Sequence, residues 1–271
     1  MDLEDVKTRG LVLLGCGKMG SAMLSGWLAQ GVSAASVWVM DPHPSDWLKG
    51  LDGLHLNDDL PPSPAVLLIA VKPQMMGDAL PSIAALGGGE TLFISVAAGT
   101  PISAFEAILG AASPIVRAMP NTPAAIGHGI TAIVGNDETS PAQMDFAEHL
   151  LTAVGQVVRL ENEEQLHGVI GVSGSGPAYV FNLIEALAAA GEAEGLPADL
   201  AMQLAKATVG GAGELAEKAK ETPAQLRVNV SSPGGTTLAA LGVLMDEKTG
   251  LKPLLRKAVK AAADRSRELA K

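Results

Sequence analysis

The chain has 271 residues, of which 48% are apolar and 18% charged, and its formal net charge is −10. That apolar fraction excludes an intrinsically disordered chain, and the length suffices for two domains with cores of their own. The negative charge and an aromatic content of 3% argue against a nucleic-acid or anionic-membrane partner. A single cysteine, Cys16, excludes an internal disulfide and a Cys-based zinc site. The apolar share exceeds what a small monomer needs, which points to an apolar subunit interface. The acidic N-terminal segment MDLEDVKTRG lacks the basic and apolar regions of a signal peptide, and it is read as leading straight into a strand. No apolar run approaches the ~18 residues that span a bilayer, so the expected address is the cytoplasm.

The first regular pattern is the continuous apolar run 11–15 (LVLLG), which fits a strand buried on both faces. Residues 19–30 follow with helical period, and strand-like runs recur at 37–40, 66–71, 91–96 and 114–119. Helical patterns at 73–86 and 101–110 separate the later runs. This alternation predicts an α/β domain over residues 1–160, a doubly wound and mostly parallel sheet covered on both faces. Beyond residue 160 the β-branched runs disappear and Ala, Leu and Glu take over. Helices are predicted at 163–171, 176–195, 198–219, 234–246 and 251–269, with breaks at Pro197, Pro223 and the run 232–235 (SPGG). Residues 161–271 are therefore expected to form an all-α domain. The basic residues of the last helix, among them Arg256 and Lys260, read as a solvated face.

Gly15-Cys16-Gly17-Lys18-Met19-Gly20 spells G-x-G-x-x-G between the first strand and the first helix, the context in which the motif binds a dinucleotide. Gly15 permits the tight turn, Gly17 lets the backbone approach a pyrophosphate, and Gly20 lets helix and strand pack closely. The helix N-terminus adds free N–H donors. An ordinary βα turn would carry the same glycines, so the sheet pattern is what gives the motif weight. Asp41 ends the second strand, where an acid accepts from a ribose 2′-hydroxyl and disfavours a 2′-phosphate. That leans towards NADH. Lys18 and His43 offset the charge, and Asp41 also suits a simple turn cap, so NADPH stays open. Lys72 and the run 96–99 (VAAG) stand at two further strand ends facing the same crevice. Cys16 reads as a small turn residue.

Residues 228–237 (VNVSSPGGTT) form the most informative stretch of the second half. Ser231 or Ser232 suits an N-cap with Pro233 at the first helical position. Two glycines inside a first turn cost about 1 kcal/mol each against alanine, which makes sense where an anion must approach the backbone. Free N–H groups of Gly235, Thr236 and Thr237 would then hold a carboxylate, although a tightly packed helix cap would use the same residues. The run 173–179 (SGSGPAY) is a second Gly/Ser helix start, which either touches a ligand or lets two helices come close. The histidines show no metal-ligand spacing, and no metal is expected.

Together, GCGKMG at 15–20, VKPQ at 71–74, SVAAG at 95–99, VRAMPNTPAAIGHG at 116–129, SGSGPAY at 173–179 and NVSSPGGTT at 229–237 resemble the pyrroline-5-carboxylate reductase family. The resemblance spans nearly the whole chain. It implies NADPH- or NADH-dependent reduction of a cyclic imine carboxylate to proline, a Rossmann domain, and a helical domain that forms a homodimer, often assembled further into a decamer. It implies that Thr237 hydrogen-bonds the substrate ring nitrogen and that Glu163 lies near the substrate amine. Ser232, Gly234, Gly235, Thr236 and Thr237 would bind substrate. Asn57, Val71, Lys72, Ala97 and Ala98 would line the cofactor beside the glycine motif and Asp41, with Asn229 near the nicotinamide end. A reductase of a related cyclic imine and a non-catalytic dinucleotide-binding protein are the alternatives. A β-hydroxyacid dehydrogenase would carry a lysine on its first long C-terminal-domain helix, and residues 176–195 contain none.

Overall fold

The computed structural model describes residues 1–270. The chain divides into two compact units, Met1–Gly174 with the chain end from Ala262, and Ser175–Ala261. Composition changes at residue 160, but the first unit runs on to 174. Leu166 and His167 explain this, because both are buried and Leu166 belongs to an apolar cluster of the sheet.

The first unit holds an eight-stranded sheet of β1 (Leu11–Leu14), β2 (Val37–Met40), β3 (His55–Leu56), β4 (Val66–Ile69), β5 (Leu92–Ser95), β6 (Ile115–Met119), β7 (Gly129–Gly135) and β8 (Gly155–Arg159). The strand order is β3-β2-β1-β4-β5-β6-β7-β8. The β6–β7 pair is antiparallel, and the others are parallel. The first six strands thus follow the doubly wound order in which ligands bind where the winding reverses, outside the carboxyl ends of β1 and β4. Helices α1 (Leu3–Arg9), α2 (Lys18–Ala29), α3 (Asp46–Lys49), α4 (Met76–Ala79), α5 (Ile102–Leu109), α6 (Pro141–Leu151) and α7 (Gln165–Val169) complete the unit.

Strand side chains alternate between two apolar layers. Leu11 and Leu13 pack with Trp27 of α2 and Leu150 of α6, while Val12 and Leu14 pack with Ile83, Phe105 of α5 and Leu166 of α7. Burial on both faces accounts for the unbroken apolar runs in the sequence. Several expectations need correction. The acidic start does not lead straight into a strand but forms α1, because Asp2 accepts from the Glu4 and Asp5 N–H groups and Asp5 returns a bond to Asp2 N–H. Residues 73–86 are not one helix. Two prolines, each lacking an N–H, divide the stretch into 3-10 turns around the four residues of α4. Strands β3, β7 and β8 and helix α6 had no assignment from the sequence pattern.

The second unit contains α8 (Gly176–Ala193), α9 (Ala198–Lys218), α10 (Pro223–Asn229), α11 (Thr236–Leu244) and most of α12 (Leu251–Leu269), whose last turns belong to the first unit. α10 lies where the sequence suggested loop. The apolar cluster of the second unit is only Ala188, Ala201 and Ala205 with Ile184 packed against them. Phe181, Leu204, Val243 and Leu254 are all exposed. So much apolar surface around so small a core marks an interaction face. Among the described residues no helix is long and apolar enough to cross a membrane.

Candidate active site

The β1–α2 connection carries the glycine motif. Gly15 has φ +88°, a conformation costly for any residue with a Cβ, and an added Cβ would stand 2.8 Å from Val71 Cγ1. A Cβ on Gly20 would stand 2.5 Å from the Gly15 carbonyl oxygen, so the helix start and the turn touch through backbone alone. Around Gly17 nothing lies within 4 Å of the added Cβ. Gly17 is the N-cap of α2 without a side-chain cap, leaving first-turn N–H groups without intrahelical partners. The three glycines therefore occupy a turn, an open approach and a contact, in that order, as dinucleotide binding requires.

Next to this turn lies a groove of about 470 Å³ lined by Gly17, Lys18, Asp41, His43, Val71 and Lys72, among others. Asp41 Oδ2 accepts from Cys16 N–H at 2.8 Å and Oδ1 from His43 N–H at 2.8 Å. The acid both caps its own turn and ties β2 to the glycine motif. Asn57, at φ 57°, donates Nδ2–H to the Asp41 carbonyl at 2.9 Å and accepts Asp41 N–H at 2.8 Å. It holds Asp41 through the backbone. Cys16 is buried, and its thiol is pushed up to about 11, first by burial and then by the Asp41 charge. A thiol so placed is no nucleophile near neutral pH. Ala97 is buried and Ala98 exposed in the β5–α5 connection, so the carboxyl end of β5 presents little bulk beside Val71.

Glu163 lies before α7. Its Oε1 accepts from Arg117 Nη1 at 2.7 Å and from Ile102 N–H at 2.8 Å. The carboxylate expected beside a substrate amine is thus engaged with a buried guanidinium and with the first turn of α5. Arg117, on β6, was not singled out by sequence reasoning. The signal available was a lone arginine inside an otherwise apolar strand.

In the second unit the start of α11 differs from expectation. Gly235, not a serine, is the N-cap, and the helix begins at Thr236. Gly235 N–H donates to Ser232 O at 3.0 Å and Gly234 has φ +70°, so Ser232-Pro233-Gly234-Gly235 forms a type II turn ahead of the helix. Pro-Gly favours that turn strongly enough to displace the helix start by two residues. The glycines consequently cost no helix propensity, and the Gly235 N–H is occupied. The first-turn donors are the N–H groups of Thr236, Thr237 and Leu238, and no side chain caps them. Ser231 Oγ donates to Arg227 O, and the Asn229 side chain accepts from Gln225 within α10. The helix predicted at 163–171 is α7 followed by a π-helical turn, Ile170–Gly174, and Ser173 Oγ donates to Val169 O.

A doubly wound sheet with a glycine motif at its switch point, joined to a helical unit, defines a dinucleotide-dependent oxidoreductase of two-unit design. Residues 163–269 match the family model for pyrroline-5-carboxylate reductase dimerisation, and residues 10–99 match that for NADP oxidoreductase, coenzyme F420-dependent. A pyrroline-5-carboxylate reductase of Pseudomonas aeruginosa is 38% identical over 98% of each chain, and one of Synechocystis is 41% identical over 96% of this chain and 98% of that one. Among solved structures, the Coxiella burnetii pyrroline-5-carboxylate reductase is 35% identical with a TM-score of 0.91, covering 97% of this chain and 99% of that one. The Plasmodium falciparum pyrroline carboxylate reductase with NADP bound is 27% identical with a TM-score of 0.82, covering 97% and 98%. The chain belongs to the pyrroline-5-carboxylate reductase family.

Proposed function

We propose that this protein reduces 1-pyrroline-5-carboxylate to L-proline with NADPH or NADH. The observation that carries the reading is the pair of backbone cradles. One is the open glycine turn of α2, the other the uncapped first turn of α11. Each presents N–H donors to an anion, a pyrophosphate in the first and a substrate carboxylate in the second. When bound, the reduced nicotinamide supplies a hydride to the imine carbon, and the ring nitrogen keeps the proton of the iminium.

The chain's own residues then orient and select. Thr236, Thr237 and Leu238 N–H groups hold the carboxylate, and the Thr237 hydroxyl orients the ring nitrogen. A protonated iminium is already electrophilic, so positioning supplies much of the rate and no strong protein acid is needed. Val71, Lys72, Ala97 and Ala98 bound the cofactor. Asp41, fixed by two backbone N–H bonds, faces the ribose and favours an unphosphorylated 2′-hydroxyl, which gives NADH the advantage. The exposed apolar faces of the second unit pair in a homodimer, which assembles further into a decamer. Purified protein mixed with pyrroline-5-carboxylate and either cofactor, followed at 340 nm, tests the proposal. Absence of oxidation with both refutes it.

A further inference from the structure

Arg117 is the one buried guanidinium of the sheet among the described residues, 2% exposed on the face of β6 that carries Ile115 and Met119. Both neighbours belong to the apolar layer that also contains Ile102 and Leu166. The cation makes one short ion pair, Nη1 to Glu163 Oε1, while Nε and Nη2 have no partner. A buried cation this poorly satisfied, paired with a half-buried carboxylate, is a weak source of stability, and a well-packed apolar side chain would serve the layer as well or better. The charge calls for another explanation.

Glu163 supplies it. The same Oε1 that meets Arg117 accepts Ile102 N–H, the first residue of α5. The N-cap of α5 is Pro101, which has no side-chain donor or acceptor to offer. Glu163 therefore caps α5 from a distance, where a negative charge suits the helix dipole. Arg117 in turn limits where that carboxylate can stand. Residues 96–101, containing Ala97 and Ala98, run between the end of β5 and this capped residue, so their path is set at one end by the sheet and at the other by Glu163.

We infer that Arg117 is a positioning residue for hydride transfer, holding Glu163 on the first turn of α5 and thereby fixing the β5–α5 loop against the nicotinamide half of the cofactor. This rests on the proposed function for the loop's ligand, while the bridge itself rests on geometry alone. Arg117 is buried within the apolar layer behind Glu163, so its loss shows in the hydride step more than in cofactor affinity.

The test uses Arg117→Met, Arg117→Lys, Glu163→Gln and the double variant Arg117→Met/Glu163→Gln in the full chain. Glu163→Gln leaves a buried cation without an acid, so its folding is checked first, and the double variant removes that problem. Amide hydrogen exchange in the cofactor-free protein is expected to quicken at Ile102 by about tenfold or more in Arg117→Met. Single-turnover imine reduction is expected to slow ~10–100-fold, the scale of a small misplacement, with the NADH dissociation constant held within about threefold. Arg117→Lys, which keeps a donor for Oε1, recovers part of the rate, and it replaces Arg117→Met if the latter does not fold. The double variant is no slower than the slower single variant, because both changes act on one bridge. Unchanged Ile102 exchange, a wild-type hydride rate in folded Arg117→Met, or losses that multiply in the double variant overturn the inference. Multiplying losses assign Glu163 to the substrate independently. A wild type that binds NADH but reduces no imine refutes the proposed function, and quickened Ile102 exchange in Arg117→Met then still upholds the bridge.

Discussion

Gly17 and Gly20 stand three residues apart in one motif, yet alanine at each is expected to act through a different mechanism. At Gly20 a Cβ would sit 2.5 Å from the Gly15 carbonyl oxygen. That oxygen belongs to a backbone turn fixed at φ +88° and cannot rotate aside. Overpacking of this kind costs ~1–3 kcal/mol, and alanine's better helix propensity inside α2 returns about 1 kcal/mol. The net loss, about 0–2 kcal/mol, lowers Tm by up to a few degrees in a unit of this size. The turn must also move by several tenths of an ångström, which misaligns the N–H donors. At Gly17 the added Cβ meets nothing within 4 Å, and φ −71° suits any residue. Here the shorter list of unfolded conformations stabilises by ~0.4–1 kcal/mol, and alanine's poorer fit at the N-cap of α2 offsets it, so stability stays about equal. The methyl nevertheless occupies the space through which a pyrophosphate reaches the helix start. Gly17→Ala is therefore expected to leave Tm near that of the wild type while weakening NADH and NADPH binding at least tenfold, about 1.4 kcal/mol. Gly20→Ala loses on both counts. Thermal unfolding beside fluorescence titration with each cofactor gives both readings. Wild-type affinity in Gly17→Ala would refute the assignment of this turn to the pyrophosphate.

Thr237→Ala is expected to lower kcat/KM for the imine by one to two orders of magnitude, about 1.4–2.7 kcal/mol, by removing one oriented hydrogen bond. Steady-state kinetics at wild-type efficiency would retire Thr237 from that role. Asp41→Ser should move the NADH-to-NADPH ratio of kcat/KM towards NADPH, and an unmoved ratio means the carboxylate does not read the ribose. Cys16 is expected to resist iodoacetamide at pH 8, with labelling rising only as pH approaches about 11. Because its folded pKa is raised, the associated stability is complete below the unfolded value of 9.0 and is lost as pH climbs through 11. Rapid alkylation of the native protein at pH 8 contradicts the burial. Leu187→Glu with Leu204→Glu, on exposed faces of α8 and α9, is expected to shift sedimentation to a smaller species, and an unchanged profile places the interface elsewhere.

Local rules made much of the molecule legible from its residues. Continuous apolar runs announced β1, β2, β4, β5 and β6, since strands covered on both faces need no polar positions. The glycine motif was readable because each glycine answers a backbone requirement that no other residue meets. The break between α8 and α9 and the end of α9 followed from Gly and Pro punctuation. Where two local rules competed, the sequence alone chose badly. Pro233 and Ser232 suit a helix start, but the same residues with Gly234 close a type II turn more favourably, and α11 begins later. β3, with two residues, and β8, with Val157 and Val158 as its only apolar side chains, carry too little pattern to announce themselves, whereas β7 does carry an apolar run, 130–134 (ITAIV), that the sequence reading did not assign. Long-range placement was beyond local rules altogether. Nothing around Arg117 or Glu163 says that residues 46 positions apart share a hydrogen bond, or that the carboxylate caps a helix it does not precede. Residue order decides what a segment can become, because propensity and periodicity act over a few neighbours. Which cation meets which acid is decided only when the sheet closes and burial forces each charge to find a partner.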